Sequence, residues 1–215
     1  MASARATNTS ADRSLSVRVR LLEAAIAAIE ESGEAGVRID RICDDAHVAK
    51  ASLYHSFGDR DGLVTAAQAE RYRRAVRGQI DEYVLSIRQC HTRDEFAQLL
   101  RDWVTGLTDE RGVARRRIRV DVLGSSVSRP SLRDQLAEVD QQVAREVAAL
   151  LLIAHDRGWI NMPFDLETAA MWWYGMLNGR YMLEHTADAA RLAEWDRIAT
   201  TAMLAVVFND NPPTS

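Results

Sequence analysis

The stretch VAKASLYHSFGDRDGL, Val48 to Leu63, decides the fold. It holds the only lysine of the chain, Lys50, set among the small residues Ala49, Ala51 and Ser52 and followed by Tyr54, His55 and Phe57. Leu53 and Phe57, four apart, give a short helix an inner face. Gly58 breaks that helix, and Asp59 is placed to cap the next one. A helix with a narrow, cationic leading turn suits a groove about 12 Å wide lined by phosphates. Its free N–H groups and positive dipole end add to the attraction. Lys50 then supplies a mobile cation, while Tyr54 and His55 stand one turn later for phosphate, sugar or thymine methyl. Arg60, in the first turn of the following helix, is expected to reach the flanking backbone.

Working outward, Leu15, Val19, Leu22, Ile26 and Ile29 form an apolar stripe at spacings of four and three, which predicts a helix stopped at Gly33. A second short helix is expected over about Ile39 to Ala46, with Ile42 inward. Three such helices, the last two joined by a tight turn, are the layout of a helix-turn-helix unit. The chain beyond reads as helices throughout. Asp59 starts a long one with Leu63, Val76, Ile80, Tyr83, Val84 and Ile87 inward. Others follow near Thr92, over the basic ARRRIRVDVLG run, from about Ser131 to Asp156 with an end at Gly158, over DLETAAMWWYGMLNGRYMLEH, and over AARLAEWDRIATTAMLAVVF. The ARRRIRV run reads as a solvated helix face with carboxylate partners.

These elements resemble the amino-terminal domain of the tetracycline-repressor (TetR) family of transcription regulators, most closely over Leu22 to Leu63. Ile42, Cys43, Ala46, Val48, Lys50, Ser52, Leu53, Tyr54, Phe57 and Leu63 match. The resemblance implies that Lys50 and Ser52 face DNA, that Tyr54 contacts phosphate, and that Arg60 takes the place of a phosphate-binding lysine. Arg38 stands where the family has a phosphate-contacting threonine, His47 where it has the turn glycine, and Ala49 where it has a capping serine, a loss of about 1 kcal/mol. Ala51 and His55 complete the expected DNA-facing set.

The fold class is therefore all-α, about nine helices: a disordered arm over 1–12, a helix-turn-helix domain over 13–60, a larger helical domain over 61–210 and a loose tail over 211–215. In the larger domain, Leu192, Trp195, Ala199, Ala202 and Val206 form a seam that wants a partner helix. Gly175 and Gly179 allow close approach beside Trp172. The resemblance makes these a homodimer interface. A twofold dimer sets two reading helices about 34–36 Å apart on a palindromic double-stranded operator. It also implies a largely apolar small-molecule effector. Candidate walls are Tyr83, Trp103, Met162, Phe164, Met176, Tyr181 and Met182, with Asn178, Arg180 or His185 as polar anchors.

Composition agrees with a soluble regulator. The chain is 215 residues with 47% hydrophobic content and a formal charge of −4. Residues 13–77 hold 11 basic and 10 acidic side chains against 15 and 20 from residue 78 onward, so the charge asymmetry is small and position has to carry the argument. Two cysteines without metal spacing, and a polar start unlike a signal peptide, point to a cytoplasmic protein. No HExxH, GxSxG, Walker or GxGxxG motif occurs, so an enzyme is disfavoured and neither cofactor nor metal is expected. The remaining alternative is a helical interaction module whose helix-turn-helix no longer binds DNA, for which the altered Arg38, His47 and Ala49 positions speak.

Overall fold

The computed structural model describes the backbone of residues 2–208, and the side chains of residues 16–208 except 78, 79, 81–85, 107 and 108. The tail expected over 211–215 lies outside the described residues. Every regular element is helical: α1 (Ala2–Ser32), α2 (Ile39–Ala46), α3 (Lys50–Phe57), α4 (Arg60–Gln89), α5 (Arg93–Thr108), α6 (Glu110–Ser126), α7 (Pro130–Asp156), α8 (Leu166–Gly179), α9 (Tyr181–Glu184) and α10 (Ala189–Val207). A single 3-10 turn spans Glu34–Gly36. The polar start, read as a disordered arm, forms the first turns of α1. Extending a helix is far cheaper than nucleating one, and the apolar stripe behind it supplies the nucleus.

The chain divides into two compact units. One comprises residues 1–71 with 128–133, the other residues 72–127 with 134–215. The division thus falls inside α4, about three turns beyond the 13–60 segment read from the sequence, and Leu63, Val64 and Ala67 of α4 belong to the amino-terminal core. That core also buries Leu21, Ala25 and Ile29 of α1, Ile42 and Ala46 of α2 and Leu53 of α3. The α3–α4 corner is tight: a Cβ on Gly62 would stand 2.0 Å from the Phe57 carbonyl oxygen, so only glycine fits there.

Helix ends follow local chemistry. Gly33 and Gly158 take positive φ values of 67° and 70° and close α1 and α7. The side chains of Asp59, Thr92, Asp109, Asp165 and Asp188 each accept a backbone N–H at the start of a helix. The helix expected to run unbroken through GMLNGRYMLEH instead ends at Gly179 and resumes as α9, which brings the number of helices to ten among the described residues. Asn178 donates its side-chain amide to the Tyr174 carbonyl at 2.8 Å, competing with the helix ladder just before a glycine.

The second unit is built around Phe96, Leu100, Trp103 and Val104 of α5, Leu150, Leu151 and Ala154 of α7, Trp173 and Leu177 of α8, and Met203 and Val207 of α10. The basic face of α6 departs from the solvated reading. Arg116 and Arg119 are 1% and 2% exposed. Arg116 pairs with Glu184 of α9, whose carboxylate also takes Arg180 at 2.6 Å, and Arg180 in turn holds Asp196 of α10 at 2.5 Å. Sequence neighbours offer these arginines no carboxylate at helical spacing, so they are buried with acids from distant elements instead.

Candidate nucleic-acid interface and cavity

The turn between α2 and α3 is closed by His47 in a left-handed conformation, φ 52° and ψ 50°. Its N–H bonds the Asp44 carbonyl at 3.1 Å and the Val48 N–H bonds that of Cys43 at 2.9 Å, so the tight turn forms without a glycine. It is the only non-glycine residue with positive φ among the described residues. Cys43 beneath it is buried, and burial pushes its thiol above the ordinary range, as suits a packing residue and not a nucleophile. Ala49 occupies the N-cap of α3 and gives no side-chain cap, leaving the first N–H groups of that helix open.

From this start α3 buries Leu53 and presents Lys50, Ala51, Tyr54 and His55 to solvent, with Ser52 half-buried between the two faces. Tyr54 is 49% exposed. The ammonium of Lys50 lies on the carboxylate of Asp40, one helix back. That contact raises the Lys50 pKa and lowers that of Asp40. Both side chains are largely exposed, so the pair is weak and open to exchange. Arg38 caps the start of α2 with its backbone carbonyl, which accepts from Ile42 at 2.9 Å, and its side chain is exposed.

Arg60, expected to reach the flanking backbone of DNA, makes contacts within its own unit. Its Nε donates to the Val37 carbonyl at 2.7 Å and its Nη2 to that of Glu34 at 2.5 Å, tying the start of α4 to the loop before α2. Two further arginines, neither foreseen, brace the same unit. Arg18 of α1 donates to the Ser56 carbonyl at 2.6 Å and lies 4.4 Å over the Phe57 ring, closing the carboxyl end of α3. Arg129 clasps Glu34 at 2.7 Å and Asp61 at 3.0 Å. Each links residues at least 38 positions apart, which no local pattern reveals.

In the second unit, α4, α5, α6, α7 and α8 line a partly open cavity of about 150 Å³. Its wall is chiefly apolar, with Trp103 and Trp173 stacked at 5.4 Å and 24°. Three polar side chains join it: Arg119, Asp140 and Tyr174. Tyr72 donates its hydroxyl to Asp140 Oδ1 at 2.7 Å and stands 3.0 Å from the Tyr174 hydroxyl. Burial raises the Asp140 carboxyl above the usual carboxylate range, against the opposing pull of the Tyr72 bond and of Arg119. Arg119 donates to the Ala75 carbonyl at 3.0 Å and lies 5.2 Å over the Tyr174 ring.

Of the walls read from the sequence, Trp103 lines this cavity. The Tyr83 side chain lies outside the described residues. Met162 and Met176 pack on the margin of the core, and Phe164 and Met182 are 57% and 70% exposed. Tyr181 and His185 pack edge-on against each other at 4.9 Å, Asn178 accepts from Arg119 at 3.5 Å, and Arg180 is held by its two carboxylates. Asp140 had a readable signal: it shares the helical stripe of Leu136, Val143 and Ala144, an acid on an apolar face. Among the residues expected between subunits, Trp172 is 44% exposed, and added Cβ atoms on Gly175 and Gly179 would meet nothing within 4 Å. Trp195, Ala202 and Val206 are half-buried, whereas Ala199 turns into the core of its own chain.

The elements α2 and α3 with the turn between them have the layout of a helix-turn-helix whose last helix shows its polar face. Residues 21–67 match the family described as bacterial regulatory proteins, tetR family. No curated protein matches the chain. Among solved structures, a protein described as a TetR-family transcriptional regulator from Mesorhizobium loti MAFF303099 superposes with a TM-score of 0.67 at 21% identity, covering 90% of this chain and 98% of that one. RolR in complex with resorcinol gives 0.55 at 22%, covering 92% and 90%. FadR from Bacillus subtilis with stearoyl-CoA gives 0.56 at 16%, covering 88% and 98%. The whole chain therefore has the fold of TetR-family regulators. Among the described residues no helix is long and apolar enough to cross a membrane.

Proposed function

We propose that this protein is a cytoplasmic, non-enzymatic transcriptional repressor that binds a palindromic operator as a homodimer and is released by a small, largely apolar effector held in the cavity of its second unit. The observation that carries this reading is the polar face of α3: Leu53 anchors the helix while Lys50, Ala51, Tyr54 and His55 remain exposed. Ser52, Arg38 and the open N–H groups at the start of α3 complete the surface offered to the groove. The exposed apolar side chains of Met171, Trp172 and Ile198 on α8 and α10 support pairing with a second copy. Two ligand-bound proteins of this fold, RolR and FadR, carry a single ring and an acyl-CoA respectively, which supports effector binding as a role for the second unit but selects no ligand.

One feature favours a second reading, a helix-turn-helix that has lost DNA binding: Lys50 is engaged by Asp40 and Arg60 by backbone carbonyls. A gel shift against the DNA flanking the gene, repeated across salt, separates them. A DNA reader loses affinity steeply as salt rises, whereas an interaction module shows no salt-dependent shift. Light scattering of the free protein and of Trp172→Arg tests the dimer. The variant is expected as a monomer, and a dimer of unchanged stability would place the interface elsewhere.

A further inference from the structure

We propose that residues 2–14, the start of α1, are a second DNA contact: a basic arm that lies on the phosphates beside the stretch read by α3. This goes beyond the helix-turn-helix reading above and rests on it. Charge comes first. The first 20 residues hold four arginines, Arg5, Arg13, Arg18 and Arg20, against the single acid Asp12. The other 195 residues hold 23 basic against 30 acidic side chains. A chain that is acidic as a whole thus gathers a net charge of +3 over the beginning of one helix.

Composition points the same way. Between Ala2 and Ser14 alanine is the only apolar residue type. Among the described side chains of α1, the first to pack against the core is Val17. A run of Ala, Ser, Thr, Asn and Arg gains little by burial against its own protein. Its guanidinium groups gain much from a polyanion, because each phosphate they neutralise releases counterions. A lipid surface is the poorer match, since an interfacial helix needs large apolar side chains to sink into it.

Position supplies the target. Arg18 donates to the Ser56 carbonyl at 2.6 Å and lies 4.4 Å over the Phe57 ring, so α1 passes the carboxyl end of α3, beside the exposed Tyr54 and His55. The eight residues of α3 span about 12 Å, and the major groove is about 12 Å wide. A helix of that length seated in the groove brings its carboxyl end to the phosphates of one strand. The chain before Arg18 sets out from this point. Along α1, Arg13 lies about 7.5 Å and Arg5 about 20 Å farther out, within one duplex turn of about 34 Å.

Phosphate contacts carry no sequence information, so a long duplex of mixed sequence suffices as the probe. Fluorescence anisotropy of the full-length protein on that duplex, across salt from about 50 to 200 mM, tests the assignment. Deleting residues 2–13 should lower the salt slope by about 2 per bound chain, one for each lost arginine. It should also weaken binding at least fivefold at the low-salt end. The double variant Arg5→Ala and Arg13→Ala keeps the chain length and should reproduce both losses, which guards against a folding defect in the deletion. Asp12→Asn should tighten binding at least twofold, while Arg197→Ala, an exposed cation of the second unit, should leave the slope unchanged. A parent slope in both arm variants would overturn the proposal and leave the helix-turn-helix reading standing. A parent slope in Lys50→Ala beside a reduced one in the arm variants would sink that reading alone, and a parent protein with no salt-dependent binding would sink both. Arginine-dependent sedimentation with phosphatidylglycerol vesicles, with duplex binding untouched by the same variants, would overturn the proposal in favour of a lipid surface.

Discussion

Lys50 and Asp40 meet across the turn between α2 and α3, ammonium on carboxylate, on the exposed face proposed above to meet DNA. A phosphate approaching Lys50 must compete with Asp40 for the same cation. Because both groups are solvated, the exchange is easy in either direction. Asp40→Asn is expected to raise DNA affinity several-fold. Lys50→Ala should lower it for all sequences alike and reduce the salt slope by about 1. Operator titrations across salt check both, and an unchanged affinity in Lys50→Ala would remove this face from the interface.

Arg60 predicts a different phenotype from Lys50. Its two bonds to the Val37 and Glu34 carbonyls serve the integrity of the amino-terminal unit. Arg60→Ala should lower unfolding stability by about 2–3 kcal/mol. The salt slope of DNA binding by the folded fraction should stay as in the parent protein. Urea denaturation beside the salt titration distinguishes the two roles.

The left-handed turn at His47 carries a conformational cost that glycine avoids. His47→Gly should stabilise the protein by about 0.5–1 kcal/mol after the added chain entropy of glycine is counted. His47→Val should destabilise it by more than 1 kcal/mol, on the order of the αL penalty. Thermal unfolding of the pair gives opposite signs if the turn is as described.

The buried ion cluster of the second unit should be far more sensitive than surface pairs. Glu184 faces Arg116 and Arg180, whose side chains are 1% and 7% exposed. Glu184→Ala removes a carboxylate from the buried Arg116, while Arg180 keeps Asp196, and is expected to cost about 3 kcal/mol. Arg197→Ala, which breaks the exposed pair with Glu194, should leave the urea midpoint essentially unchanged.

Asp140 gives a pH signature. Its folded pKa is raised by burial, opposed by Tyr72, Arg119 and Tyr174. A carboxyl raised in this way binds protons more tightly in the folded state than in the unfolded one. Its contribution is therefore fully present below the ordinary aspartate range and is lost as pH rises through the folded value. Asp140→Asn keeps an acceptor for Tyr72 and removes that loss. The stability difference between variant and parent should grow in favour of the variant from pH 4 to pH 8, and a flat difference would show that Asp140 titrates normally.

Features set by neighbouring residues were legible in the sequence, and features set by distant partners were not. Leu53, Gly33, Asp59 and Gly158 announce the helix faces, stops and caps because periodicity and capping act within one or two turns. Arg60, Arg116, Arg119 and Arg129 all look like solvent cations in isolation. Each is engaged by groups that only the folded chain brings near. The cavity was half visible for the same reason: Trp103 is recognisable as a large aromatic on a helix, while Phe164 and Met182, equally suitable by type, face solvent. Asp140 stood on an apolar stripe and was the one polar wall residue open to discovery by pattern.

The place of Arg129 bears on how such regulators can be recombined. Residues 128–133 belong with the amino-terminal body, and Arg129 within them neutralises Glu34 and Asp61. A chimaera spliced once at residue 71 would borrow a DNA head and leave this clasp behind in the donor. A transplant meant to keep the head sound has to move two pieces of chain, since the module is discontinuous even though its recognisable motif is not.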